Sequence, residues 1–455
     1  IAARLMEVYA GFLSHTDAQI GRLVQALKDG GEFGNTLFIY IVGDNGGSAE
    51  GGLKGSISYM GAIQGLPEDR VKTLSRLDSF GGPDTYAQYP SAWAWAMSTP
   101  LQWMKTVASH LGATRNPMVV TWPARIRDRG GLRSQFGHVN DILPTVLEAV
   151  GLEAPTVFHG IRQKPLDGTS LAYSFNEPQA PERHRTQYFE VYGHRALYHD
   201  GWMASAFHAR LPWQVISRDQ KPFEADTWEL YDLRNDFSQA HDLATQEPGR
   251  LKALQALFTE EAARNQVLPL RGQVLNANLP SLTRGRTSFT YYPGAAVPEA
   301  DAPNLFNRSW TLTAAIEVPD SGARGVIATM GGAPAGWSLY LDAEGRPVFT
   351  YRAFEAGEIE LAGNAALGAG RHVVQVDFNY DGGGYAKGAT VRLQIDGAAT
   401  REGRLAVTPP KFFSINETFD VGVDMGSAAG RYPEETGPGY AFRGGRIERV
   451  DLQLR

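Results

Sequence analysis

Cysteine is absent from the sequence. Its absence excludes disulfides, thiolate metal sites, iron–sulfur clusters and a cysteine nucleophile within these residues. Long apolar runs are also missing: no stretch of about 18 consecutive apolar residues reads as a membrane-spanning helix. Nor is there an excess of positive charge, since 43 Lys and Arg stand against 49 Asp and Glu, a formal net charge of −6. Such a chain lacks the cationic field that drives general binding to nucleic acid or anionic membranes. What is present is 43% hydrophobic and 20% charged residues, too apolar a mixture for a disordered chain. At 455 residues, against roughly 100–200 per domain, two domains are expected.

The pattern divides near residues 270–285. Before it, Leu5, Val8, Tyr9, Phe12, Leu13, Ile20, Leu23, Val24 and Leu27 recur at helical spacing. The chain opens at Ile1 inside this helix, without the parts of a signal peptide, which raises the expectation of a segment upstream. The run Thr36–Val42 then reads as a buried parallel strand, ending in the polar glycine loop Gly43-Asp44-Asn45-Gly46-Gly47. Ligand sites of α/β folds gather at such strand ends. Residues 48–100, rich in Gly, Ser, Pro and aromatics, form a long irregular stretch expected to wall a cleft. Further expected elements are strands at 117–123, 187–192 and 228–233, and helices at 141–151 and 248–266. After the boundary, alternating runs at Trp310–Val318, Trp337–Asp342 and His372–Phe378, with Gly and Asp turns between, predict an antiparallel sandwich or jelly roll.

Asp44 and Asn45 offer one carboxylate and one amide oxygen, hard ligands suited to Ca²⁺ or Mg²⁺. The same Asp-Asn-Gly sequence also makes a turn bonded to its own backbone, and the residues alone leave both readings open. Lys105, His110 and Arg115 recur every five residues before the strand at 117–123. A lysine is a compact donor for a tetrahedral oxyanion, and imidazole can donate to an oxygen or protonate a leaving group. Equally, each of the three serves as an ordinary solvated or satisfied side chain. His138 reads as a capping residue, and Trp93, Trp95 and Trp103 as packing aromatics or as a stacking surface for a leaving group.

Over residues 1–270 the sequence resembles the sulfatase family, particularly bacterial arylsulfatases of the alkaline-phosphatase-like α/β superfamily. The resemblance rests on Phe38–Gly47, Lys105–Pro117, His138–Thr145 and Trp228–Asp236, with Asp17, Gln19, Ile20, Gly21 and Leu23 in the preceding helix. It implies a partial sulfatase-like α/β sandwich that hydrolyses sulfate esters to an alcohol or phenol and sulfate. It further implies that Asp44 and Asn45 bind one divalent cation, usually Ca²⁺, and that Lys105 contacts the sulfate with His110 near it. Arg115 would brace the loop. Relatives often carry an acidic residue in the region of His110. The family nucleophile is a formylglycine made from Cys or Ser in a Cys/Ser-x-Pro-Ser/Ala-x-Arg motif. This sequence has none: Ser98-Thr99-Pro100-Leu101-Gln102-Trp103 lacks the small residue and the arginine. The nucleophile and the remaining cation ligands are therefore expected from an upstream segment, and the chain alone is expected to be inactive.

Residues 275–455 resemble the concanavalin-like or laminin-G-like modules appended to some bacterial hydrolases. Trp310, Trp337 and Tyr351 are either sugar platforms or inward-facing core residues. The expected partner is a small-molecule or carbohydrate sulfate ester, and the expected location periplasmic or secreted. Two alternatives remain: a phosphonate or phosphate ester hydrolase of the same superfamily, and a non-catalytic carbohydrate-binding homologue.

Overall fold

The computed structural model describes residues 1–214, 221–272, 281–433 and 438–455. Residues 273–280, inside the expected boundary region, lie outside them. The chain forms two compact units, Ala2–Lys54 with Tyr89–Leu275, and Gly55–Gln88 with Asn276–Arg455. The irregular stretch 48–100 is thus divided, and most of it belongs to the second unit.

In the first unit the helix Ala2–Asp29 leads to strand β1, Phe38–Ile41. Its partner is β2, Met118–Thr121, and the pairing is antiparallel, with Phe38 opposite Thr121 and Ile41 opposite Met118. The expectation of a buried parallel strand is therefore corrected; β1 is half-buried and its last residue exposed. A run such as Phe-Ile-Tyr-Ile-Val specifies an extended, apolar segment, but hydrogen-bonding direction depends on how the chain returns. Here it returns through some 75 residues rather than a short crossover helix.

A small hairpin, β3 (Val157–Phe158) and β4 (Ile161–Arg162), follows the helix Ile142–Val150, which ends on Gly151 at φ 72° as a left-handed cap. Next comes a four-stranded antiparallel meander: β5 (Thr186–Val191), β6 (His194–His199), β7 (Trp202–Ala206) and β8 (Trp228–Asp232). The helix Pro248–Arg264 covers one face of it. Its Leu254, Phe258 and Ala262, at i, i+4, i+8, pack on Leu197, Ala204 and Leu230.

The second unit is a sandwich of two six-stranded sheets. Its strands are β9 (Ser288–Tyr291), β10 (Ala296–Pro298), β11 (Trp310–Val318), β12 (Gly325–Gly331), β13 (Ala335–Leu341) and β14 (Pro347–Ala353). They continue as β15 (Glu358–Ala362), β16 (Gly370–Tyr380), β17 (Ala389–Ile395), β18 (Ala398–Leu405), β19 (Thr418–Val421) and β20 (Arg446–Leu454). One sheet runs β10-β19-β12-β13-β14-β15 and the other β18-β17-β16-β11-β20-β9, with every neighbouring pair antiparallel. In β11 every second residue, from Trp310 to Val318, is buried, the alternation expected of a strand with one face on a core. Trp310 stacks on Phe378 with ring centres 4.8 Å apart. Trp310, Trp337 and Tyr351 are 1%, 0% and 3% exposed, so they are core residues and no sugar platform.

Residues 55–88 close onto this sandwich. Leu66 joins its core, Gln64 Nε2 donates to Phe412 O at 3.1 Å, and Gln64 Oε1 accepts from Lys411 N and Phe412 N. Arg76 and Lys72 both pair with Glu355, at 2.8 and 3.1 Å. Despite burial, these two cations hold the Glu355 carboxyl below its ordinary range. Among the described residues no helix is long and apolar enough to cross a membrane.

Candidate active site

The loop after β1 is tied by its backbone to the segment 105–116. Val42 N donates to Pro117 O at 2.9 Å, extending the β1–β2 ladder by one step. Gly46 N donates to Ala113 O at 2.9 Å, and Lys105 N to Gly47 O at 3.2 Å. The Asn116 amide, turned to face the Asn45 backbone, donates to its carbonyl at 3.0 Å and accepts from its N–H at 3.3 Å. Glycine is required for this approach: a Cβ on Gly46 would lie 1.7 Å from Gly112 O, and one on Gly47 2.9 Å from Ala94 O. The structure thus brings together two segments that the sequence separates by 60 residues.

Asp44 is exposed and Asn45 half-buried; Asn45 Nδ2 donates to Asp44 Oδ1 at 2.9 Å. The pair carries a carboxylate and an amide oxygen, hard donors of the kind a dication such as Ca²⁺ prefers. Among the described residues no cluster of three or more His, Cys, Asp or Glu is arranged to hold a metal. Ca²⁺ takes six to eight oxygens, more than Asp44 and Asn45 supply by themselves.

Lys105 is held out by a strained loop. Buried Met104 and Val107 anchor it, while Trp103 at φ 66° and Thr106 at φ 80° adopt the left-handed region. For a β-branched residue such as Thr106 this costs roughly 1–3 kcal/mol, and outliers of this kind gather at functional sites. Thr106→Gly is accordingly expected to stabilise the protein by about 1 kcal/mol, after allowing for the greater chain entropy of glycine. A lower rather than higher melting temperature in that variant would show that the threonine side chain contributes more than the strain removes.

Lys105 Nζ pairs with Glu50 Oε2 at 2.8 Å, and Ser48 Oγ donates to the same oxygen at 3.0 Å. His110 does not share this surface. It is 1% exposed, and its Nε2 lies 3.0 Å from Glu229 Oε2 on β8. A carboxylate only accepts, so Nε2 carries a proton toward Glu229, while Nδ1 lies 2.9 Å from Ser109 Oγ. Burial raises the Glu229 carboxyl, but the hydrogen bond and charge of His110 outweigh it and leave the group below its ordinary range. His110, expected near the sulfate-contacting lysine, is thus a buried side chain held on Glu229. The reason is local: His110 enters the one-turn helix Leu111–Thr114, whose first three residues are buried. Arg115 lies exposed with its guanidinium 5.5 Å from the Phe237 ring centre.

Around this core, Trp95 meets Trp103 edge-on at 5.7 Å, and Trp103 stacks on Phe207 at 4.5 Å. Phe207 in turn lies 4.6 Å from His194. Burial, then the charges of Arg210, His208 and His110, push His194 down to about 3, so it stays neutral. His138 caps the turn Val139–Asp141, as expected.

Glu50, Glu229, His194 and Arg210 were not singled out by sequence reasoning. Glu50 carried a readable signal, an acid six residues beyond Asp44 in the same glycine-rich loop. Glu229 sits in a strand whose alternation gave no reason to separate it from any other polar residue.

The Sulfatase family model matches residues 2–152. An uncharacterized sulfatase of Schizosaccharomyces pombe is 28% identical over 263 residues, 56% of this chain and 42% of its own length. An arylsulfatase of Klebsiella aerogenes is 25% identical over 191 residues, 42% of this chain and 38% of its own. The chain thus spans about two fifths of the curated relatives it matches. Among solved structures, the crystal structure of Ps i-CgsB aligns with a TM-score of 0.37 and 21% identity over 58% of this chain and 45% of that one.

Proposed function

We propose, from the match of the Sulfatase family model to residues 2–152, that this chain serves the hydrolysis of sulfate esters, small-molecule or carbohydrate, to an alcohol or phenol and sulfate. The observation that carries the reading is the backbone bond from Lys105 N to Gly47 O, which supports a single surface shared by the Asp44–Asn45 loop and the Lys105 amine. Asp44 and Asn45 would hold a divalent cation, Ca²⁺ or Mg²⁺, which when bound neutralises sulfate charge and polarises an S–O bond. Lys105 would give up Glu50 for a sulfate oxygen, trading one anionic partner for another carried by the substrate. His110, held by Glu229, would brace the segment that carries Lys105. These residues contain no Cys/Ser-x-Pro-Ser/Ala-x-Arg motif, so none of them is assigned as the nucleophile.

The test is the full-length protein assayed with an aryl sulfate and with the matching aryl phosphate. Faster turnover of the sulfate supports this reading; faster turnover of the phosphate hands the site to a phosphate ester hydrolase. Lys105→Ala is expected to lower kcat/KM for the sulfate by about 100-fold, the usual scale for losing one preorganised donor. Sulfatase activity that survives this change undiminished removes Lys105 from the site.

A further inference from the structure

Glu50 stands where an anion approaching Lys105 would have to bind. Its Oε2 lies 2.8 Å from Lys105 Nζ, and the two side chains are 31% (Lys105) and 15% (Glu50) exposed, so the amine meets solvent while the carboxylate lies beneath it. The carboxylate is also held from behind. Ser48 Oγ donates to Oε2 at 3.0 Å and accepts from Glu50 N at 3.4 Å. Ser48 N donates to the hydroxyl of buried Tyr89 at 2.9 Å, and Tyr89 meets Tyr9 of the first helix edge-on at 5.0 Å. Ala49, between the two polar residues, is 1% exposed. Because the same loop accepts Lys105 N at Gly47 O, backbone and side chain alike keep Glu50 beside the amine. An ammonium has three donors, so when a ligand oxygen takes the place of Oε2 the carboxylate still stays close by.

The repulsion that such a fixed carboxylate exerts on a ligand scales with the ligand's charge. A sulfate ester is a monoanion, whereas a phosphate monoester carries about two negative charges at about pH 8. Hydrolysis of the sulfate ester by water yields the alcohol or phenol, one proton and the sulfate dianion. We propose that Glu50 is a specificity-determining residue, a fixed charge that lowers the affinity of the Lys105 surface for dianions relative to monoanions. It thereby disfavours phosphate monoesters, and the sulfate product, against the sulfate-ester substrate. This rests on the sulfate-ester reading. Exchange for glutamine removes one negative charge whatever other groups surround Glu50.

The test uses the full-length protein. Glu50→Gln keeps the size of the side chain and an acceptor for Ser48 but loses the charge; Glu50→Asp keeps the charge and changes the shape. Three esters of one phenol are compared at about pH 8: the aryl sulfate, the methyl aryl phosphate diester and the aryl phosphate monoester. The first two are monoanions and the third a dianion, which separates charge from the choice between sulfur and phosphorus. In Glu50→Gln, kcat/KM for the phosphate monoester is expected to rise about tenfold relative to both monoanions, the scale of one charge removed at a partly solvated site. Inhibition by inorganic sulfate is expected to tighten in the same variant, and Glu50→Asp to keep the native ratios. Equal changes on all three esters overturn the proposal and leave Glu50 as a support for Lys105. So does a shift in ratio that Glu50→Asp reproduces, since shape rather than charge then decides. Either result arises with Lys105→Ala inactive and the sulfate-ester reading intact. A native protein that turns over the aryl phosphate faster than the sulfate defeats that reading instead, and the ratio of diester to monoester in Glu50→Gln still decides the role of Glu50.

Discussion

Gly46→Ala is expected to cost about 3 kcal/mol or more, because its methyl group would sit 1.7 Å from the carbonyl oxygen of Gly112. The obstacle is backbone on both sides. Gly112 has no slack either, since a Cβ there would lie 2.2 Å from Gln102 O and 2.3 Å from Trp103 O. The loop must therefore lift away from residues 112–113, which breaks the Gly46 N to Ala113 O bond and pulls Asp44 and Asn45 away from the Lys105 segment. At this size of domain the melting temperature should fall by roughly 6–12 °C, and the sulfate-ester hydrolysis proposed above should fall with it at temperatures where the variant is still folded. An active, normally melting Gly46→Ala would show that the approach of the two segments is not required.

Asp141→Ala is expected to be more destabilising still, by about 3–5 kcal/mol, the scale for stripping one partner from a buried ion pair. Asp141 is 0% exposed. Its carboxylate accepts from His184 Nδ1 at 2.7 and 2.9 Å, from Thr169 N at 2.7 Å and from His138 N at 2.8 Å. Removing it leaves a buried imidazolium and two amides without acceptors, at the point where the helix Ile142–Val150 begins. Burial pushes both groups toward neutrality, but the mutual bond wins: the Asp141 carboxyl is lowered and the His184 imidazole raised.

The pH dependence follows from those directions. Asp141 contributes stability above its unfolded value of 3.8, and that contribution is lost as pH falls through its lowered folded value. His184 contributes fully below its unfolded value of 6.5 and loses the contribution as pH rises through its raised folded value. The difference in stability between the native protein and Asp141→Ala should thus be greatest between about pH 4 and 6.5 and shrink on either side. Chemical denaturation across that range measures it; a difference that stays flat with pH would mean the pair is held neutral.

Much of the second unit was legible in the sequence. The run Trp310–Val318 is a strand over those same residues, because its alternation matches the two-residue repeat of a strand with one buried face. The loop with Asp44 and Asn45 was legible as well, since acid, amide and paired glycines after an apolar run leave few other structures available. The assignment of residues 55–88 to the sandwich was not legible. It depends on contacts such as Gln64 with Phe412 and Arg76 with Glu355, between residues hundreds of positions apart, and local pattern carries no trace of them.

Composition and local order were enough to determine that cysteine chemistry is absent, that an oxygen-rich loop ends an apolar strand, and that a lysine precedes the strand pairing with it. Each depends only on residue type and short spacing. Tertiary structure alone decided that β1 meets its neighbour antiparallel, that His110 turns inward to Glu229, and that Lys105 rests on Glu50. Those facts concern which side chain meets which across the fold, and a charged residue has the same identity in the chain whether it ends in water or on a carboxylate.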